Sequence, residues 1–195
     1  MGVTAPLATL DTRRLLLRAT DVALAESVAS FNTHHRIVHA PWNPPMPEAA
    51  FTAEGQRERL ALLAKAEAKG REIGWWLTLY DEPAQVIGKL RFTQIARSPF
   101  CNAMLGYAID TAHEGRGLMH EALAAALADV FGPRVGLHRV QANARPENTR
   151  SLALLARLGF EREGLAREYL FIDGAWRDHV LTALRAPDWP ATRAP

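Results

Sequence analysis

The chain has 195 residues, of which 48% are hydrophobic and 23% charged, a composition typical of a folded globular protein rather than a disordered or repetitive one. The net charge of +2 is too small to indicate nucleic-acid binding by itself, and a single cysteine excludes an intrachain disulfide. No apolar run approaches the roughly 20 residues of a membrane span. We therefore predict one cytoplasmic domain over residues 1–195, with a core at about 12–186 and no signal peptide.

The first third of the chain predicts a strand and two helices. "TRRLLLRAT" is a short apolar strand, and Asp21 caps a helix that runs to about Asn32. The proline-rich loop "HAPWNPPMPEAAF" carries Trp42. A second helix is predicted from about Ala53 to Gly70, with its polar segments "QRER" and "KAEAK" on the outer face.

The central segment predicts three strands. "GWWLTLY" and "QVIGKLRFTQI" flank an acidic turn and form a hairpin, and "CNAMLGYAID" follows as a third strand. Within the hairpin, alternation predicts that one of Trp75 and Trp76 faces the core and the other lies outside. Cys101 begins the third strand, and we interpret it as a half-buried thiol in a strand rather than an acyl carrier, because direct acyl transfer needs no covalent step.

The last third of the chain alternates helices with strands. Apolar residues at helical spacing predict one helix after residue 117, and "RPENTRSLALLARLGF" predicts another that begins at Asn148 and ends at Gly159. The short strand "LHRVQANA" lies between them, and a hairpin with a "DG" turn follows. The residues of the first apolar helix face are Leu118, Ala122, Leu123, Ala126, Leu127, Val130 and Phe131. The order of elements predicts an α+β or mixed α/β fold.

Gly115 and Gly117 lie between a strand and a helix in "HEGRGLMHEA". Glycines let a phosphate approach the unpaired N–H groups at a helix start, although the same pattern also suits a tight turn without a ligand. The dinucleotide fingerprint is excluded because position 120 is His, and no Gly-Lys-Ser/Thr is present for a Walker loop. From the residues alone, both the phosphate site and the ligand-free turn remain open.

Several segments in order resemble the GNAT superfamily of N-acetyltransferases. The match includes "LGYAI", "GRGLMHEAL", "PENTRSLALLARLGFEREG" and "YLFIDGAWRDHVLTAL", and within the superfamily these are most similar to the RimJ/RimL branch. Two early features, "TRRLLLR" and the "PW" at 41–42, fit this branch as well. The resemblance implies a central mixed, mostly antiparallel twisted sheet with helices on both faces and a splayed strand pair that holds acetyl-coenzyme A (acetyl-CoA).

The resemblance also implies which residues bind acetyl-CoA. The backbone of Tyr107 and Ile109 would hold the pantetheine arm, and one of the two amides would polarise the acetyl carbonyl. The diphosphate would lie on the loop formed by Gly115, Arg116, Gly117, Leu118 and Met119. Glu114 replaces the usual Gln or Arg, and Met119 replaces a small residue and could crowd the loop. Neither departure removes the backbone donors, so we expect binding to survive. No metal is expected, because the histidines show no ligand spacing.

The proton-transfer residues are harder to assign. Many relatives use a tyrosine on the helix after Asn148, but this chain has none there, and we interpret Ser151 as the proton donor to the thiolate. Asn148 serves as a helix cap, as a pantetheine contact, or as both, and Ser151 is equally compatible with an ordinary first-turn position. Some relatives place a base where this chain has Asn143. The hairpin offers other candidates, but an α-amine with a pKa near 8 needs no dedicated base. Those candidates are Glu168, Tyr169, Asp173 and His179.

Acceptor recognition is predicted to involve the Trp42 loop and the C-terminal hairpin, with Trp42, Glu168 and Tyr169 lining the cleft. The preceding histidines, His34, His35 and His39, are interpreted as surface polar residues. RimJ-type members acetylate the N-terminal alanine of a ribosomal protein, so the resemblance implies a protein Nα-acetyltransferase acting on a ribosomal-protein N-terminus of Ala or Ser type. Two alternatives stay open: acetylation of a small-molecule amine, such as an amino acid or antibiotic, and a non-catalytic acyl-CoA-binding ribosome-assembly factor. No DNA or membrane partner is expected.

Overall fold

The computed structural model describes residues 8–186, and within them the chain forms eight strands and five α-helices. The strands are β1 (Leu10–Asp11), β2 (Leu15–Arg18), β3 (Ile73–Leu79), β4 (Gly88–Ala96), β5 (Asn102–Ile109), β6 (Arg139–Gln141), β7 (Glu161–Ile172) and β8 (Ala175–Arg185). The helices are α1 (Ala25–His34), α2 (Arg36–His39), α3 (Ala53–Ala68), α4 (Leu118–Phe131) and α5 (Thr149–Arg157). The structure confirms each predicted helix and strand and adds two short elements, β1 and α2.

The eight strands form one sheet in the order β1-β2-β3-β4-β5-β6-β8-β7. Neighbouring strands are antiparallel except β5 and β6, which are parallel and connected through α4. The last partners of this parallel pair are Met104 and Gln141, whereas β5 continues beside β4 as far as Ile109. The predicted mixed, mostly antiparallel sheet is therefore confirmed, and its one parallel pair opens beyond Met104.

Helices cover both faces of the sheet, and each face has its own apolar core. Helices α4 and α5 pack against one face, and α1 and α3 pack against the other. Trp75 and Trp76 are each only 1% exposed and belong to these two different cores. The prediction that one of them lies outside was wrong, because α1 and α3 cover the face that the alternation assigned to solvent.

The polar residues of α3 also depart from the prediction. Gln56 and Glu67 are buried against the sheet rather than placed on the outer face. Gln56 Nε2 donates to the C=O of Ala50 at 2.6 Å, and Glu67 accepts a hydrogen bond from Thr20 Oγ1 at 2.7 Å. Burial raises the pKa of Glu67, although Thr20 and Arg91 oppose the shift. Buried polar groups are tolerated where they have partners, as Gln56 Nε2 and the Glu67 carboxylate do.

Local signals set the ends of the elements that flank the open strand pair. Asn148 Oδ1 caps α5 by accepting the Ser151 N–H at 3.1 Å, and the helix is followed by Gly159 at a φ of +88°. The predicted apolar face of α4 is buried, apart from the half-buried Phe131. These ends fix where β5, α4 and α5 meet.

Candidate active site

The glycine pair lies in an exposed loop between β5 and α4. Gly115 and Gly117 have φ values of +72° and +74°, in the left-handed region that favours glycine. A Cβ atom on Gly115 would meet no described heavy atom within 4 Å, so this side of the loop is open. Gly117 is the N-cap of α4, where the first N–H groups of a helix lack intrahelical acceptors. The loop therefore offers the donors and the open approach that a diphosphate requires.

The end of β5 offers a second set of backbone groups. The N–H of Asp110 points toward β4 and donates to the C=O of Ile87 at 2.8 Å. Because backbone groups alternate in direction along a strand, those of Tyr107 and Ile109 point away from β4, into the gap beyond the last β5–β6 partners. This placement fits the extended pantetheine arm of acetyl-CoA, which needs donors and acceptors along one strand edge.

The Tyr107 side chain contacts the start of α5. Its hydroxyl lies 2.5 Å from Ser151 Oγ, a contact that the sequence did not predict. Burial raises the pKa of Tyr107 to about 12, although the hydrogen bond with Ser151 opposes the shift. The phenol therefore stays protonated near neutral pH and can donate to Ser151, which frees the serine proton for another acceptor. Asn148, Ser151 and Tyr107 thus form one hydrogen-bonded group beside the open strand pair.

The two departures from the family loop have different outcomes. Glu114 forms an ion pair with Arg150 of α5, which neutralises its charge at the edge of the loop. Met119 is only 6% exposed and packs into the core between α4 and the sheet. The helix directs this side chain inward, away from the exposed loop, which agrees with the expectation that the backbone donors remain available.

The Trp42 loop is held close to α5 by a single arginine. Trp42 is 38% exposed, and the guanidinium of Arg145 lies 5.4 Å from its ring centroid. Arg145 Nη1 also donates to the C=O of Pro41 at 2.6 Å. Since Arg145 is only three residues before Asn148, this contact places the Trp42 loop near the start of α5.

A bulge in β7 separates the hairpin candidates from one another. The register shifts between Ala166 and Leu170, and within the shift Glu168 takes a φ of +48° and stays exposed. Tyr169 is half-buried, and its hydroxyl accepts a hydrogen bond from Asn143 Nδ2 at 3.1 Å. The structure thus brings Tyr169 toward β6 and leaves Glu168 outside.

The other hairpin candidates for a base differ in their surroundings. His179 is 4% exposed and packs against the Tyr169 ring at 5.2 Å, so it is not a solvated surface residue. Asp173 lies in the exposed β7–β8 turn, where it forms an ion pair with Arg177. Asn143, which stands where some relatives have a base, also accepts the Thr182 N–H at 3.3 Å and is an amide without a titratable proton.

The histidines before Trp42 were predicted as surface residues, and this was wrong for His35. His35 is 6% exposed, and its Nε2 lies 3.1 Å from Asp110 Oδ1. His39 is half-buried, stacks on His35 at 5.0 Å, and places Nε2 3.2 Å from the C=O of Ile109. Burial and the neighbouring His35 lower the pKa of His39. Only His34 is exposed, and the other two tie α1 and α2 to the end of β5.

Three residues that hold the glycine loop from outside were not predicted. Arg14 Nη1 donates to the C=O of Arg116 at 2.9 Å, and Arg14 and Thr12 both bind the carboxylate of Glu121. Arg14 and Glu121 are 107 positions apart, so no local pattern marks the contact. Only a family resemblance that includes "TRRLLLR" could have drawn attention to it.

Other features of the described chain bear on the chemistry. Cys101 is half-buried just before β5, and strand geometry puts it about 20 Å from Tyr107, too far to carry an acyl group there. Within residues 8–186, no group of three or more His, Cys, Asp or Glu side chains is arranged to hold a metal ion. No helix in this same range is long and apolar enough to cross a membrane.

Comparison with known proteins agrees with this geometry. Residues 14–161 match the acetyltransferase (GNAT) domain family. The [ribosomal protein uS5]-alanine N-acetyltransferase of Escherichia coli (strain K12) is 39% identical over 189 residues, which cover 96% of each chain. The crystal structure of the ribosomal-protein-S5-alanine acetyltransferase from Vibrio fischeri superimposes with a TM-score of 0.89 at 31% identity, covering 94% of this chain and 99% of that one.

A second solved structure is relevant to the cofactor. RimJ of Mycobacterium smegmatis, in complex with CoA-disulfide, superimposes with a TM-score of 0.86 at 31% identity and covers 97% of this chain and 91% of that one. The open strand pair and the glycine loop described above fit the same kind of ligand. The chain therefore belongs to the GNAT acetyltransferase family and is an acetyl-CoA-dependent N-acetyltransferase.

Proposed function

We propose that the chain transfers the acetyl group of acetyl-CoA to the α-amino group of a ribosomal protein whose N-terminal residue is Ala or Ser, and that it does so in the cytoplasm. The observation that carries this proposal is the similarity over 96% of both chains to an enzyme named for an N-terminal alanine of ribosomal protein uS5. Because the similarity includes the loop and hairpin beside the open strand pair, it extends to the region that would receive the acceptor.

The donor is bound mainly by backbone groups. The pantetheine arm lies along Tyr107 and Ile109, and the diphosphate lies on the loop from Gly115 to Met119. Arg116 is exposed on this loop and adds a positive charge beside the N-terminus of α4. Backbone recognition of this kind tolerates the replacement at Glu114, since the N–H donors remain in place.

In the reaction, the amine nitrogen attacks the thioester carbon, the C–N bond forms, and the C–S bond breaks. The amine loses a proton and the departing thiolate gains one. Ser151 Oγ passes a proton to the thiolate and regains one from the water that receives the proton of the amine, so no net charge is left on the protein. Tyr107 supports Ser151 by donating a hydrogen bond to its Oγ across 2.5 Å. Asn148 keeps Ser151 in place by accepting its N–H. Tyr107 thus stands in for the tyrosine that many relatives carry on α5.

The amine needs no dedicated base in this arrangement. An α-amine has an ordinary pKa near 8, so a fraction is neutral at physiological pH and water can accept the proton that it loses. The amide of Asn143 cannot act as a base, and its hydrogen bonds to Tyr169 and Thr182 give it a structural role. Trp42 and Tyr169 line the acceptor cleft, and Glu168 lies at its exposed rim.

The test is acetylation of a set of purified ribosomal proteins with labelled acetyl-CoA, followed by mass spectrometry of their N-terminal peptides. We expect label on the α-amine of an Ala- or Ser-initiated protein and none on lysine side chains. Free amino acids and aminoglycosides are offered as acceptors in parallel reactions. Label on these small amines, with every N-terminus unlabelled, would instead identify a small-molecule acetyltransferase. CoA binding without turnover of any of these amines would identify a non-catalytic binder.

A variant of Trp42 tests whether this side chain lines the acceptor cleft. Trp42→Ala removes an aromatic surface at the cleft and should raise the KM for an N-terminal peptide about tenfold, with the KM for acetyl-CoA unchanged. Trp176→Ala is the matched control, because Trp176 is 60% exposed and packs against Phe171 at the far end of the hairpin. Equal effects of the two substitutions would remove Trp42 from the acceptor cleft.

A further inference from the structure

The segment before β2 contacts the glycine loop through one arginine. Arg14 Nη1 donates to the C=O of Arg116 at 2.9 Å. Its Nη2 would lie 3.6 Å from a Cβ atom on Gly117, so the guanidinium lies against the loop at Gly117, whereas the Cβ position at Gly115 is open. The arginine side chain is itself 39% exposed, which shows that it lies at the surface beside the loop rather than in the core.

This contact determines the direction of a neighbouring donor. In a trans peptide unit the C=O of one residue and the N–H of the next point in opposite directions. Since Arg14 holds the C=O of Arg116 toward β2, the N–H of Gly117 must point away from it. Both residues that flank Arg116 are glycines, which have many accessible backbone conformations. In the structure both have φ values near +70°, and this hydrogen bond favours that conformation of the loop.

Arg14 is in turn fixed by Glu121 in the first turn of α4. One carboxylate oxygen accepts Arg14 Nε at 2.7 Å, and the other accepts the Arg14 N–H at 2.8 Å and Thr12 Oγ1 at 2.7 Å. Burial raises the pKa of Glu121, but the hydrogen bonds from Thr12 and Arg14 outweigh it and hold this pKa below its usual value. Glu121 therefore stays ionised and keeps its partner in place.

Glu121 also places a negative charge near the proposed diphosphate site, and Arg14 compensates this charge. A carboxylate one turn into α4 lies close to the position at which the N-terminus of the helix would receive a diphosphate, and like charges repel. The guanidinium of Arg14 neutralises this carboxylate and lies beside Gly117. Removing Arg14 would therefore free the loop and expose the diphosphate to an uncompensated negative charge.

We propose that Arg14 is a positioning residue for acetyl-CoA binding: together with Glu121 and Thr12 it sets the conformation of the glycine loop and neutralises the helix carboxylate below it. This inference rests on the proposed placement of the diphosphate on residues 115–119. It assigns a cofactor-binding task to the segment before β2, which lies outside the open strand pair.

The test measures binding without an acceptor. Calorimetric titration gives the Kd of CoA and of dephospho-CoA, which both carry the diphosphate, and displacement of CoA gives the Kd of pantetheine, which lacks it. Arg14→Ala should weaken the first two about tenfold and leave pantetheine unchanged. Arg14→Lys should recover part of the loss, since one ammonium replaces only one of the two side-chain contacts. Arg13→Ala, in the exposed neighbour, should have no effect.

A double variant separates positioning from simple destabilisation. In Arg14→Ala/Glu121→Gln the uncompensated carboxylate is gone, so CoA affinity should rise above that of Arg14→Ala even though one more native contact is missing. If Arg14→Ala fails to fold, the Kd values of CoA and of pantetheine are compared in Arg14→Lys and Glu121→Gln instead. Equal weakening of CoA and pantetheine, or unchanged CoA binding in a folded Arg14→Ala, would overturn the proposal.

Failure of the proposed role of Arg14 can be distinguished from failure of the proposed function by the Gly115→Val variant. Unchanged CoA binding in Gly115→Val would show that the diphosphate does not lie on the glycine loop, which removes the basis of the Arg14 proposal but leaves the choice of acceptor to the labelling of ribosomal-protein N-termini. Weak binding in Gly115→Val with normal binding in Arg14→Ala would overturn only the role of Arg14. Neither result depends on which amine is acetylated.

Discussion

Two regions of the molecule, the donor side and the acceptor side, are held together by different interactions. On the donor side, which comprises β5, the glycine loop, α4 and α5, one continuous apolar core supports short backbone motifs, and the long-range Arg14–Glu121 pair holds the glycine loop at the surface of this core. On the acceptor side, which comprises α1, α3, the Trp42 loop and the β7–β8 hairpin, buried polar and charged groups pair over long sequence distances. Strand β4 faces both, because Leu90 and Phe92 enter the donor-side core while Lys89 and Arg91 face α1 and α3.

The difference follows from what each side must bind. All donors share the same pantetheine and diphosphate, which backbone groups at a strand edge and a helix start can hold whatever the surrounding side chains are. Acceptors differ, so we expect their recognition to depend on side chains such as the proposed cleft residues Trp42 and Tyr169, each placed by a distant partner. We therefore expect changes to the donor side to alter cofactor binding strongly and locally, and changes to the acceptor side to act through packing and charge.

The largest effect is expected from Gly115→Val. A β-branched residue is strongly disfavoured at a φ of +72°, and its side chain would occupy the open side of the loop. We expect kcat/KM for acetyl-CoA to fall about 100-fold, mainly through KM, because the loop can no longer place its N–H groups around a diphosphate. Steady-state kinetics with varied acetyl-CoA measure this directly.

Gly174→Val is the matched control for this substitution. Gly174 has a φ of +71° and, like Gly115, an open Cβ position, but it lies in the β7–β8 turn. Its backbone strain should lower thermal stability by a similar amount without changing the KM for acetyl-CoA. A comparable rise in KM in both variants would mean that strain alone, rather than the loop, explains the loss.

The accuracy of the predictions made from the sequence also differs between the donor side and the acceptor side. The glycine pair, the cap at Asn148 and the apolar face of α4 are signals that extend over a few residues, and each predicted the structure correctly. Tyr107 was assigned to the site through its backbone, but its side-chain contact with Ser151 spans 44 positions and was missed. Contacts of this kind depend on the packing of α5 on the sheet, which no local pattern encodes.

The acceptor side was predicted less well for the same physical reason. His35 reads as a polar residue in a loop, yet Asp110, 75 positions later, supplies the partner that allows its burial. Glu67 reads as a solvated charge on α3, yet Arg91 lies 3.0 Å away on the sheet. In each case the partner makes burial possible, and the partner is known only from the fold.

A smaller effect is expected from Ser151→Ala on the donor side. Without the hydroxyl, the thiolate must take its proton from water, and we expect kcat to fall about tenfold with little change in the KM for acetyl-CoA. Tyr107→Phe should lower kcat less, because the serine hydroxyl remains. Rates from single-turnover experiments separate this chemical step from product release.

Thr149→Ala controls for the position in the helix. Thr149 lies in the same first turn of α5 but is exposed, so its loss tests the effect of removing any hydroxyl there. Unchanged kcat in Ser151→Ala, with both variants folded, would assign Ser151 to the capping arrangement alone. A loss shared equally by Thr149→Ala would point to helix destabilisation instead.

The smallest effect on catalysis is expected from Lys89→Met on the acceptor side. Burial, reinforced by the nearby Arg59 and Arg91, lowers the pKa of Lys89 to about 8, and its Nζ lies 6.0 Å from the Phe31 ring centroid in α1. At pH 7 the folded protein therefore still holds a charged amine, in surroundings that destabilise this charge relative to water. Allowing for the partial exposure of this side chain, its removal should increase the free energy of unfolding by about 2 kcal/mol.

The effect of Lys89→Met on the free energy of unfolding is expected to depend on pH. Between pH 8 and the ordinary lysine pKa of 10.5, the unfolded chain binds more protons at this position than the folded one, so the stability of the native protein rises with pH. The advantage of Lys89→Met should therefore be largest at pH 7 and shrink toward pH 10, as urea unfolding at several pH values would show. Lys65→Met, in an exposed position on α3, should show neither the gain nor its pH dependence. If Lys89→Met is no more stable at pH 7, the charge on β4 is well solvated, and the contrast between the two sides rests on the Arg91–Glu67 and His35–Asp110 pairs.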